Sequence, residues 1–139
     1  MRFMIIVKAT KESEAGVMPE EKLIAAMGAY HEELGKAGVL LDGTGLHPTS
    51  KGFRVKYTGQ KRTVVDGPFT ETKELIAGYT LIKVKAKQEA IEWAKRYPNP
   101  RGEGMDSEIE VRQLFELEDF APSEAIDRMR ELDMSIKRK

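Results

Sequence analysis

Phe3-Met4-Ile5-Ile6-Val7 is an unbroken apolar run between Arg2 and Lys8. Leu75 to Val84 is a second two-sided apolar stretch, with Gly78 and Tyr79 at its middle. Strands that leave one face in water alternate apolar with polar residues, whereas strands covered on both faces read as continuous apolar runs. Both stretches therefore predict central strands, and the rest of the chain is read outward from them.

After the first run, residues 10 to 18 are polar or small and predict a loop. Pro19-Glu20-Glu21 then opens a helix, with proline and acids where a helix start favours them. Leu23, Met27, Tyr30 and Leu34 follow at helical spacing as its inward stripe, and Gly38 is its stop signal. Val39 to Leu46 predicts a strand loosened by Gly43 and Gly45. Phe53 to Tyr57 alternates with charges, and Thr58-Gly59-Gln60 turns it back into Arg62 to Val65. Beyond the second apolar run, Lys87 to Tyr97 predicts a helix with Ala90, Ile91, Ala94 and Tyr97 inward, ended by Pro98 and Pro100. Ile109 to Leu117 predicts the last strand. Pro122 starts a terminal helix with an apolar stripe at Ala125, Met129, Leu132 and Ile136.

Strand, helix, strands, helix, strand is a ferredoxin-like split βαβ order. The expected fold is α+β, an antiparallel sheet with helices on one face, over residues 1–118, with a C-terminal helical extension over 119–139. Two helices cover one face of such a sheet. The doubly apolar strands then call for a second cover, and a second copy of the chain is the simplest one, so a homodimer is expected.

The 139 residues carry 23 Lys plus Arg and 23 Asp plus Glu, a formal net charge of zero. Proteins that grip nucleic acid through many phosphates carry a basic excess, so direct nucleic-acid binding is not expected. The one basic cluster is Lys137-Arg138-Lys139. No cysteine is present, which removes disulfides, thiolate metal sites and cysteine nucleophiles. Two histidines make a metal site unexpected, and no cofactor is called for. Haem would need an axial ligand, for which His31 is the candidate. The apolar runs are too short to span a bilayer, and the first residues lack a signal-peptide layout. No membrane association and a cytoplasmic location are the expectations.

Val65-Asp66-Gly67-Pro68-Phe69-Thr70-Glu71-Thr72-Lys73-Glu74, followed by Gly78-Tyr79, resembles the signature of the YCII-related (DGPF) family. The opening strand, Glu14-Ala15-Gly16, the helix bearing His31 and Glu110-Val111-Arg112 also match that pattern. The resemblance covers roughly Met1 to Leu117. It implies a dimeric α+β barrel, whose relatives include cofactor-free monooxygenases, isomerases and haem enzymes. Some family members are associated with sigma factors in transcription.

His31 is the first candidate for chemistry. Ile24, Gly28, His31 and Gly35 form a strip beside the apolar stripe of their helix. Each helical glycine costs about 1 kcal/mol relative to alanine, so the pair suggests a close strand or room for a ligand. Spacing alone favours a half-buried histidine satisfied by one hydrogen bond. The resemblance, in which this histidine recurs at the site, adds the reading of a general base or acid. Asp66 is first a turn residue and second a carboxylate that orients His31. Tyr79, Glu110, Arg112 and Phe69 are the expected ligand-binding residues. On residues alone, Tyr79 reads first as core packing and Glu110 with Arg112 as a surface pair.

The expected function is that of a small cofactor-independent enzyme doing acid–base chemistry on a small organic molecule. A non-enzymatic ligand-binding or regulatory module, associated with transcription, is the alternative.

Overall fold

The structure is a computed structural model that describes residues 1–137. Of the basic tail Lys137-Arg138-Lys139, the last two residues lie outside the described residues. Six strands and four helices follow one another along the described residues. Strand β1 (Arg2–Lys8) leads into a short helix α1 (Lys11–Glu14) and a long helix α2 (Glu21–Lys36). Next come β2 (Leu40–Gly45), β3 (Phe53–Thr58), β4 (Lys61–Asp66) and β5 (Ile76–Lys83). Helix α3 (Lys87–Lys95), β6 (Ile109–Gln113) and α4 (Glu124–Lys137) complete the chain.

The main sheet is antiparallel with order β2-β5-β1-β6. The two doubly apolar runs, β1 and β5, are its two central strands, as their composition requires. Facing pairs of an antiparallel sheet share a face, so the register sorts the residues. Phe3, Ile5, Ile82, Thr80 and Val111 point to one side, and Met4, Ile6, Leu81, Tyr79, Glu110 and Arg112 to the other. The core lies on the first side. There Tyr30 and Leu34 of α2 and Ala90 of α3 pack with Phe3, Ile5, Val39, Ile82 and Val84, backed by Trp93 and Tyr97. Both core helices thus cover the same face.

Two expectations need correction. Residues 10 to 18 are not all loop. Thr10 caps α1 by accepting from the Ser13 amide at 3.1 Å, and the Ser13 hydroxyl accepts from the Thr10 amide at 2.8 Å. This reciprocal box stabilises one helical turn that spacing alone does not reveal. Strands β3 and β4 form a separate two-stranded sheet, and Phe53 and Tyr57 are 65% and 67% exposed rather than half-covered. In the single chain the apolar stripe of α4 is left open, as it would be if a partner covered it. Ala125, Met129, Leu132 and Ile136 are all exposed, and only Ile126 is partly covered. Ten residues separate β6 from α4.

Candidate functional site

Helix α2 carries His31 one turn after Met27 and beside the buried Tyr30. The His31 Nδ1 lies 2.7 Å from the Met27 carbonyl oxygen, and Nε2 lies 2.8 Å from Thr80 Oγ1. A carbonyl only accepts, so Nδ1 carries a proton and donates to Met27. In the neutral ring Nε2 then holds the lone pair and accepts from the Thr80 hydroxyl. The tautomer follows from the partners alone.

Thr80 is 1% exposed and is the one buried polar residue among those described. Burial raises the pKa of the Tyr97 phenol, and the Thr80 hydroxyl partly offsets that. Tyr30 closes the back of the group. Its ring meets the His31 ring edge-on at 5.7 Å and the Tyr97 ring at 5.1 Å. Its hydroxyl donates to the Trp93 carbonyl at 2.7 Å, and burial pushes its pKa up to about 12.

The close approach of His31 to the sheet depends on Gly43 of β2. A Cβ there would stand 3.1 Å from His31 Nε2. Gly43 faces Thr80 because the β2–β5 register shifts between Leu40 and Asp42. The glycines singled out on the helix serve no such purpose, since a Cβ at Gly28 or Gly35 would meet nothing within 4 Å.

His31, Thr80 and Tyr97 line a cavity of about 400 Å³ between α2 and strands β2 and β5. Leu23, Ile24 and Met27 give it an apolar wall, and Lys8, Thr10 and Ser13 lie toward the end of β1. A mostly apolar hollow with a few convergent polar groups is the usual form of a small-molecule site.

The turn after β4 is a brace. Gly67–Pro68 is a cis peptide. The Gly67 amide donates to the Gly52 carbonyl at 3.0 Å. The Phe69 amide donates to Thr49 Oγ1 at 2.9 Å, and that hydroxyl donates to Glu14 at 2.5 Å. A Cβ on Gly67 would come within 1.9 Å of the Thr49 carbonyl oxygen, so this contact admits glycine alone. The Phe69 ring lies under the Arg54 guanidinium, 3.7 Å from centroid to Cζ.

Residues 1–117 match the profile of the YCII-related domain family. The chain belongs to that family. An uncharacterised protein of Rhizobium meliloti (strain 1021) is 27% identical to this YCII-related chain over 96 residues, which is 69% of this chain and 77% of that one. A solved structure of 5-chloro-2-hydroxyhydroquinone dehydrochlorinase from Burkholderia phenoliruptrix AC1100, in complex with 2,5-dihydroxybenzoquinone, superposes with a TM-score of 0.46. That match has 16% identity and covers 83% of this chain and 94% of that one.

The family motif and the histidine do not converge within this YCII-related chain. Both nitrogens of His31 are engaged by Met27 and Thr80. Asp66 is exposed, pairs across the hairpin with Phe53, and does not line the cavity. The orienting task assigned to Asp66 is performed by the Met27 carbonyl, which the helix places one turn before the ring. Phe69 is bound into the brace and is likewise no part of the cavity lining. Tyr79 contributes to the cavity wall, but its hydroxyl donates to Asp42 at 3.2 Å on the other face of the sheet. The Asp42 charge raises the phenol pKa. Glu110 and Arg112 share that other face. Glu110 pairs with Lys8 at 3.2 Å and with Arg112 at 4.0 Å. Thr80, Tyr97 and Gly43 are the members that sequence reasoning missed. The available signal was Thr80 itself, a hydroxyl within a strand apolar on both faces.

Proposed function

We propose that the chain is a small enzyme that binds a compact, largely apolar organic molecule beside His31 and moves a proton to or from it. The observation that carries this reading is the fixed tautomer of His31 at the wall of an apolar cavity. With Nδ1–H held by Met27, the basic nitrogen faces the sheet side of the cavity, the arrangement a general base requires. The polar groups are few and clustered at one end, so a ligand with one carbonyl or hydroxyl and an apolar body fits the lining.

The test uses 2-indanone, an apolar ketone with acidic C–H bonds. Titrated into labelled protein, it should shift the resonances of Met27, His31 and Thr80. In D2O the protein should speed deuterium uptake at its α-carbons at least tenfold, and His31→Gln should remove that acceleration. Shifts without acceleration would favour a ligand-binding module instead, a reading supported by Thr80 occupying Nε2. No shift at these residues would overturn both readings.

A second copy of the chain completes the assembly in this reading, giving the dimeric α+β barrel. The support is the face opposite the helices. Met4 and Leu81 lie there half-buried, beside a buried Ile6. Phe53, Val55, Tyr57 and Val64 share one face of the β3–β4 hairpin, and all four are exposed.

A further inference from the structure

One chain leaves two apolar surfaces open, and they match. The first is a groove of about 350 Å³ between α3 and β6. β6 is an edge strand of the main sheet. Its Ile109 and Val111 face Val7 and Ile5 of β1 and line the groove, but α3 leaves both half-buried. The helix wall is Lys87, Ala90, Ile91, Ala94 and Lys95, a spacing that puts all five on one helix face. The alanines keep that wall shallow. The lysines stand at its two ends, eight residues or about 12 Å apart. Both are exposed, and among the described residues neither has an ion pair.

The second surface is the stripe Ala125, Met129, Leu132 and Ile136 of α4. Its spacing of four, three and four residues is that of a helix packing along another helix. Met129 is 52% exposed, and Leu132 and Ile136 are each 61% exposed. The one half-covered residue of α4 among those described, Ile126, sits a quarter-turn from the stripe. Glu124 and Glu131 flank the stripe on the other side, seven residues or about 10 Å apart. Arg128 lies between them and pairs with Glu124 at 3.2 Å. No residue of α4 lines the groove of its own chain. Resting on the dimer of the proposed reading, and deepening it, we propose that α4 of each copy lies in the α3–β6 groove of the other. Met129 and Leu132 then sit over Ile91, Ile109 and Val111, with Lys87 and Lys95 opposite Glu124 and Glu131. The ten residues between β6 and α4 span up to about 33 Å, enough to carry the helix round the β6 edge of a partner. Each of the three large stripe residues covers roughly 100 Å², and the groove gives up a similar area. Two-fold symmetry makes the contact twice. The exchange therefore buries on the order of 1,200 Å², the lower bound of a standard stable interface, before the open sheet face is added.

The test exploits the absence of cysteine. Ile91→Cys and Leu132→Cys are made in separate chains, one of them 15N-labelled, refolded together and oxidised at low micromolar concentration. Mass spectrometry should find the mixed 91–132 disulfide in at least tenfold excess over either symmetric one, and Ala94→Cys repeats the measurement without touching Ile91. Lys87→Glu with Lys95→Glu should cut the mixed product at least fivefold, and Glu124→Lys with Glu131→Lys in the other chain should restore it. A yield indifferent to both changes would overturn the proposal, because chance collision explains it as well. A chain carrying both cysteines that closes on itself, with no mixed product from the single variants, would overturn it too, since α4 would then fill its own groove. Sedimentation of the parent separates the two levels. The mass of two chains without a mixed disulfide sinks the exchange and leaves the dimer standing, whereas the mass of one chain sinks both.

Discussion

At the scale of single residues, the site depends on a space no larger than a methyl group. The His31 ring is held at both nitrogens and rides on a helix, so it cannot retreat from a Cβ placed 3.1 Å from Nε2. Gly43→Ala is expected to break the Thr80 bond and cost about 1 kcal/mol. Urea denaturation would measure the loss, and the Nε2 resonance would report the broken bond. Tyr30 gives a pH prediction whose sign is set by burial. Its folded pKa of about 12 lies above the unfolded value of 10, so the unfolded chain releases the proton first as pH rises. The stabilisation is full below pH 10 and is lost between pH 10 and 12. Two units at 1.36 kcal/mol each give about 2.7 kcal/mol, which solvent screening at the hydroxyl end reduces. Tyr30→Phe should flatten that part of the stability curve, and a parent curve already flat above pH 10 would refute the assignment.

At the scale of elements, the Asp66-Gly67-Pro68-Phe69 turn is a brace. Thr49 accepts the Phe69 amide and gives its own amide and hydroxyl to Glu14. It thereby ties α1, the turn before β3 and the cis-proline turn together. Thr49→Val leaves the Phe69 amide and the Glu14 carboxylate short of a partner, so a loss of about 2 kcal/mol is expected in urea denaturation. Helix α4 behaves in the opposite way. Its tie to the domain is electrostatic, with Asp133 adding its charge to an Arg2 already bonded to Glu116 at 2.7 Å. Exposed charge contacts contribute little. Removing residues 122–139 should therefore shift the melting temperature of the isolated chain by only a few degrees. A drop above 10 °C would mean that the apolar stripe is covered in solution.

At the scale of the whole molecule, the unresolved surface is the sheet face away from α2 and α3. Sedimentation at low micromolar concentration should give about twice the 15.7 kDa of one chain. Placing charges on the exposed hairpin face with Tyr57→Glu and Val64→Glu should return the protein to one chain's mass without unfolding it. A parent protein that sediments as a single soluble chain would refute the dimer. Among the described residues, no helix is long and apolar enough to cross a membrane.

The sequence by itself determined the α+β class, the element order and the identity of the two central strands. These are written in local periodicity and in punctuation by glycine and proline, which act within a few residues of themselves. It also picked out His31, because a histidine between two helical glycines is locally unusual, although those glycines turned out to face open space. Only the tertiary structure decided what His31 touches. Thr80 lies 49 residues away, and the two meet because β5 pairs with both β1 and β2 while a register shift brings Gly43 opposite Thr80. The separation of Asp66 from His31 was decided in the same way, since β3 and β4 pair with each other instead of extending the main sheet. Strand pairing is a choice among distant partners, and the bond between His31 and Thr80 exists only once that choice is made.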